Sequence, residues 1–136
     1  MSSILSIATS GLVAAGQRLQ VSAQNVAKVN SNGPLPSASA ALQSQYPPAY
    51  TPQQVNQVAA PGGGTQAVVS NVQPSTVPVP DPLATYANTN GQVAAPNVDL
   101  ATEILQQELA KIEYASNAQV ARAYSQVSQT LQSVGT

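Results

Sequence analysis

Residues 6–30 read SIATSGLVAAGQRLQVSAQNVAKVN, and how this stretch is interpreted decides the fold. It is apolar enough to be a leader peptide, yet its leucines keep a fixed spacing. Leu5, Leu12, Leu19 and Val26 stand seven apart, and Ala8, Ala15, Ser22 and Val29 form a second seven-residue series three positions on. Together they make a four-heptad a/d seam on one face of a helix. A leader would want a basic start and an uninterrupted apolar core before its cleavage site. The chain instead opens MSSILSIATS, with no Lys or Arg and with Ser6, Thr9 and Ser10 breaking the apolar run. The stretch is therefore read as a retained helix. Gly11 and Gly16 inside it would each cost about 1 kcal/mol in a helix interior, and are tolerable if another chain packs against them.

The rest of the chain sorts itself around this helix. All 11 prolines lie between Pro34 and Pro96, and between Ser31 and Val98 the only charged residue is Asp81. Two proline-free flanks are compatible with helix, and the middle cannot be a continuous helix. This gives three segments: an N-terminal helix over 1–30, a Pro/Gly/Gln-rich irregular segment over 31–96, and a C-terminal helix over 97–136. In the last, Pro96 stops anything helical before it. Asp99 is placed as N-cap with Glu103 in the first turn, and Gly135 as the stop. Its apolar and small seam runs Leu105, Leu109, Ile112, Ser116, Val120, Tyr124, Val127, Leu131, Val134, with a stutter of three consecutive four-residue steps. A helix about 50 Å long cannot bury such a seam on itself. The expected class is mainly α, the two terminal helices pairing as a coiled coil around an irregular middle. One strand is expected near Thr65–Val72 after the turn Gly62–Gly64, and a hairpin turn at Asn90-Gly91. A middle fully disordered in the free monomer is the alternative.

Composition narrows the chemistry. Charged residues are 7% of the chain, against about 25% in ordinary domains. There is no Phe, Trp, Cys or His, so thiol nucleophiles, the usual general base and most transition-metal ligands are missing. Four scattered cations and a net charge of −1 give no footprint for nucleic acid. No apolar run is long enough to span a membrane. Neither a catalytic site, a metal, a cofactor nor a small-molecule substrate is expected. The low content of large apolar side chains points to a subunit that completes its core against neighbours.

Three stretches carry a resemblance. SGLVAAGQRLQVSAQNVAKVNS (10–31) is similar to the N-terminal signature of the bacterial flagellar rod and hook axial proteins, matching at Ser10, Gly11, Leu12, Ala14, Arg18, Leu19, Val21, Ala23, Asn25, Val26, Ala27 and Asn30. DPLATYANTNGQVAAPNVDLATEI (81–104) resembles the stretch leading into the last helix of the C-type proximal rod subunits. Pro96-Asn97-Val98-Asp99 is its most diagnostic tetrapeptide, and EYASNAQV (113–120) is similar to the family's aromatic-x-x-N segment, with Asn117 as its asparagine. The chain departs from the pattern at Lys28, Val29 and Gln92, which leaves room for a B-type subunit or a divergent paralogue.

The resemblance implies a structural role without catalysis. Such subunits are exported without cleavage through the flagellar type III apparatus. They polymerise with other rod proteins into the hollow shaft of the basal body in the periplasm, through their terminal helices. On that basis Leu5, Ala8, Leu12, Ala15, Leu19 and Val26, with Leu105, Leu109, Ile112, Val120, Tyr124, Val127 and Leu131, are expected at subunit interfaces. A secreted adhesin-like binding protein with a Pro-rich stalk is the competing class.

Overall fold

A computed structural model describes residues 2–135; the outermost residues of the two terminal segments, 1 and 136, lie outside them. The first helix, α1, spans Ser2–Ala27. It runs through both internal glycines, and its end unwinds through a turn in which Ser31 N–H donates to the Lys28 carbonyl at 3.0 Å. The last helix, α3, spans Leu100–Val134. Asp99 caps it as expected: its carboxylate accepts from Ala101 N–H at 3.2 Å and from the Thr102 hydroxyl at 2.6 Å. The Thr102 and Ala101 bonds hold the Asp99 carboxyl below the usual carboxylate range. At the other end Gly135 N–H closes on the Leu131 carbonyl.

The segment between these helices is more ordered than its composition suggests. A one-and-a-half-turn helix, α2 (Ala40–Gln45), starts at Ser39, whose hydroxyl accepts from Leu42 N–H. Then come β1 (Gln53–Ala59), β2 (Thr65–Asn71), β3 (Thr76–Pro80) and β4 (Gln92–Pro96). They pair as two separate two-stranded antiparallel sheets, β1 with β2 and β3 with β4. Helices and small antiparallel hairpins thus make up the fold.

The strand over Thr65–Asn71 and its preceding glycine turn are where the sequence places them. Gly62, Gly63 and Gly64 take φ of +94°, +98° and +93°, a region that residues with a Cβ avoid. The hairpin at Asn90-Gly91 needs correction. β3 and β4 are joined by residues 81–91, and Asn88 organises their end: its side-chain oxygen accepts from Asn90 N–H and Gln92 N–H, both at 2.9 Å. The partner strand escaped notice because its sequence, TVPVP, looks unfit for a ladder; its prolines fall at alternate positions, where no ladder bond is needed. β1 escaped because Gln53, Gln54, Asn56 and Gln57 disguise its alternation.

α1 is the hub. It packs antiparallel along α3 and also underlies the β1–β2 hairpin. The exit from α1 is tied to the second sheet, where Gly33 and Ala94 exchange backbone bonds at 3.0 and 2.9 Å. No helix among the described residues is long and apolar enough to cross a membrane.

Candidate functional site

The interior contact between the two long helices is not the leucine seam. The buried positions of α1 are Ala8, Gly11, Ala14, Ala15, Val21, Ser22 and Asn25, and the fully buried position of α3 is Ala110. A seven-residue series on each helix builds this seam: Gly11, Arg18 and Asn25 against Glu103, Ala110 and Asn117. Gly11 lies against Asn117, so close that an added Cβ would sit 2.5 Å from the Asn117 amide. Fourteen residues further along α1, Asn25 donates to Glu103 Oε1 at 2.6 Å. That antiparallel register puts Ala110 opposite Arg18. The small residue leaves room for the guanidinium, which pairs one turn along with Glu113 at 2.9 Å. Ser22 fixes the same register by donating to the Glu103 carbonyl at 2.9 Å.

Asn25 is 1% exposed and uses its full bonding capacity. Its amide donates to the Gln53 carbonyl at 2.7 Å and to Glu103. Its oxygen accepts from Gln53 N–H and from the Tyr50 hydroxyl, each at 3.1 Å. By bonding both backbone groups of Gln53, it substitutes for a neighbouring strand. At the other end of the hairpin Ser10 does a similar job: its hydroxyl accepts from Thr65 N–H at 3.1 Å and donates to the Ile7 carbonyl at 2.7 Å. α1 therefore crosses beneath the sheet diagonally, pinned to β2 at the turn and to β1 at the open end. Gln57 adds a third tie by donating to Glu113 Oε2 at 3.0 Å.

Burial, and secondarily the nearby Glu103 carboxylate, raise the Tyr50 pKa. A phenol that ionises later in the folded than in the unfolded chain contributes its stability fully below the unfolded value of about 10. That contribution is lost as pH rises through the folded value. Thermal unfolding should therefore occur at lower temperature once pH passes 10, and the Tyr50→Phe variant should lose less of its midpoint over the same interval in a circular-dichroism melt.

The motif residues thus separate into groups. Gly11, Arg18, Asn25 and Asn117 meet in one seam, and Ser10 ties the same helix to Thr65 of β2. Asn97 and Asp99 anchor the start of α3, Asn97 donating through its backbone to the Ser75 carbonyl and through its side chain to the Pro74 carbonyl, at 2.9 and 2.8 Å. Pro96 is buried as the last residue of β4, and Val98 N–H closes a tight turn on the Pro96 carbonyl. Asn30 stays exposed in the turn after α1. Glu103, Glu113, Gln53 and Tyr50 were missed as partners. The seven-residue spacing of Gly11, Arg18 and Asn25 could have found the seam, but the leucines seven apart give a louder pattern.

The expected interface positions must be corrected in two ways. Ala8 and Ala15 are each 1% exposed, buried by the chain's own packing, and serve the fold. Leu12 and Val26 are half-buried at the margin of the seam. The remaining apolar positions are not buried by the contact between α1 and α3. Leu5 and Leu19 on α1, with Leu105, Leu109, Ile112, Val120, Val127 and Leu131 on α3, are 40% to 61% exposed. On each helix this row is centred about 110° round from the buried face, at about 100° per residue. Tyr124 bridges the two kinds of surface, half-buried and lining an apolar groove with Ile4, Val120 and Val127.

Between the edge of β1, α1 and the head of α3 lies a polar cleft of about 340 Å³, lined by Arg18, Gln53, Asn97, Thr102 and Gln106 among others. Its acids are already engaged: Glu103 with Asn25 and Asp99 with its cap. Among the described residues no three His, Cys, Asp or Glu side chains gather where they could hold a metal ion. The arrangement offers surfaces for packing more than groups for chemistry. The chain matches no protein-family model, and comparison with curated proteins finds no significant relative.

Proposed function

We propose that the chain is a structural subunit of the bacterial flagellar proximal rod, of the C type, that polymerises through its terminal helices. The observation that carries this is the exposed leucine row on both long helices. An antiparallel pair held internally by small and polar residues has no need of large apolar side chains outside the buried face. Buried against neighbours, each such side chain would contribute about 1.5–3 kcal/mol. Contacts on different faces of two helices are heterologous, and heterologous contacts that do not close propagate a filament. In that filament the α1–α3 pair would act as a coiled-coil unit repeated around the channel. The motif residues Gly11, Arg18, Asn25 and Asn117 support the reading further, because they make contacts between the two helices. Export through the type III apparatus and a location in the basal body belong to the same proposal.

Deleting the gene and imaging basal bodies by electron microscopy tests it. Rods absent or truncated at the inner membrane, with no hook or filament, are expected. Complete flagella would overturn the reading and bring the adhesin-like class forward. Complementation sharpens the result: Leu19→Asp and Leu109→Asp should abolish motility, whereas Gln20→Asp, exposed on the same helix as Leu19, should preserve it. Equal behaviour of all three would mean that the leucine rows are not the assembly surface.

A further inference from the structure

The chain contains two Asn-Gly steps, Asn32-Gly33 and Asn90-Gly91, and the fold holds them differently. Glycine has no Cβ to hinder its own nitrogen or to restrict its dihedrals. In an Asn-Gly step that nitrogen can therefore reach the side-chain carbonyl carbon of the asparagine before it, and the outcome depends on how firmly the backbone is held.

At the first step the backbone is fixed. Gly33 is buried, and its N–H and C=O exchange bonds with Ala94 at 3.0 and 2.9 Å. An added Cβ there would collide with the backbone of Pro47, Pro48 and Ala49, so the chain has no room to turn. Swinging the Gly33 nitrogen towards the Asn32 side chain would break the bridge that ties the exit of α1 to β4. At the second step the constraint is local. Asn90 is exposed in the loop between β3 and β4, and its side-chain amide has no partner among the described residues. Gly91 N–H donates to the Asn88 carbonyl at 2.9 Å, a single bond within one turn. Exposed turns open at far less cost than buried backbone.

We propose that Asn90 is a site of spontaneous covalent modification, the deamidation of its side chain through attack by the Gly91 nitrogen. That nitrogen loses its proton and bonds to Asn90 Cγ. The bond from Cγ to the side-chain nitrogen breaks, ammonia leaves, and a five-membered succinimide remains. Water then adds at one of the two ring carbonyls. Cleavage of the bond from Cγ to the Gly91 nitrogen gives aspartate, and cleavage on the backbone carbonyl side gives an isoaspartyl linkage. Water is the one co-reactant, and nothing is oxidised or reduced. The ring has no N–H at position 91, so the bond to the Asn88 carbonyl is lost as it forms. Either product places a second carboxylate in the loop that holds Asp81, the only charge between Ser31 and Val98. The isoaspartyl product also lengthens the backbone inside the turn where Asn88 accepts from both Asn90 N–H and Gln92 N–H. The end of the β3–β4 pair, where Pro80 faces Gln92, is loosened in consequence. None of this uses the helix surfaces, so it stands or falls separately from the rod proposal.

Incubation of the purified full chain in mildly alkaline buffer, followed by pepsin digestion at an acidity that halts the reaction, tests this by peptide mass spectrometry. Each deamidation replaces NH2 by OH, and fragmentation of the peptide assigns the residue. In the folded chain Asn90 should accumulate about ten times as much product as Asn32 or more, because Asn32 reacts only from molecules whose bridge has opened. In urea, where neither step is held, the two should react at similar rates. Asn90→Gln would need a six-membered ring and should leave residues 81–99 unmodified. Equal yields at the two steps in the folded chain, no product at Asn90 over the time in which the urea-treated chain reacts, or a gain within 81–99 that persists in Asn90→Gln would each overturn the inference.

Discussion

Replacing Asn25 by alanine is expected to lower the free energy of unfolding by about 3–5 kcal/mol, which exceeds the cost of most single substitutions. Four bonds converge on this side chain: two with the Gln53 backbone, one with Glu103 and one with Tyr50. Alanine would remove all four at once. Each buried polar partner left unsatisfied costs about 1–3 kcal/mol, and Glu103 would be left as a carboxylate without its amide donor. Part of the loss would be recovered by water entering from the adjacent cleft, which is why the total falls below the sum of the separate penalties. Since a domain's whole stability is about 5–15 kcal/mol, the variant should unfold at markedly lower denaturant concentration. Asn25→Asp is a useful companion. It keeps an acceptor for Gln53 N–H and Tyr50 but sets a second carboxylate against Glu103, so it should be about as harmful at neutral pH and partly recover on acidification. An urea titration showing less than about 1 kcal/mol of loss for Asn25→Ala would mean that the hairpin is not held by this residue.

Gly11→Leu should cost about 2–3 kcal/mol by overpacking the helix seam. Gly11→Ala is the informative contrast. The atoms nearest its Cβ would be the amide end of Asn117, a flexible group whose bond to the Glu113 carbonyl at 2.8 Å is local to its own helix. Rotation of Asn117 can relieve that contact, and alanine gains about 1 kcal/mol over glycine in helix propensity. The alanine variant should therefore be near neutral. Leucine cannot be accommodated by one rotamer change, because α1 and α3 would have to separate and disturb the Arg18–Glu113 pair beyond it. Adding Asn117→Ala should restore about half of the loss in Gly11→Leu, a coupling expected only of side chains in contact. If the two substitutions act additively in chemical denaturation, Gly11 and Asn117 do not face each other.

Both results bear on what was legible beforehand. The helices could be read from the distribution of proline, the start of α3 from Asp99, and the turn before β2 from three consecutive glycines. These depend on local chemistry: a missing N–H, a side-chain acceptor within one turn, a backbone conformation open to glycine. The residues of the seam also stood in the sequence at a constant spacing, but nothing local distinguishes Gly11, Arg18 and Asn25 from exposed polar positions. Their partners Glu103 and Gln53 are distant in sequence, and no pattern within one segment reveals a bond between two.

The chain by itself therefore determined roughly where its two long helices begin and end, which segment cannot be one continuous helix, and that large apolar side chains recur along both long helices. Only the tertiary structure decided which helix faces meet. A heptad pattern records the angular position of the leucines but not what lies opposite them, and close approach of two backbones favours the face with glycine, alanine and serine over the face with leucine. The same close approach brought Asn25 within reach of a strand edge, and it left the leucines outside.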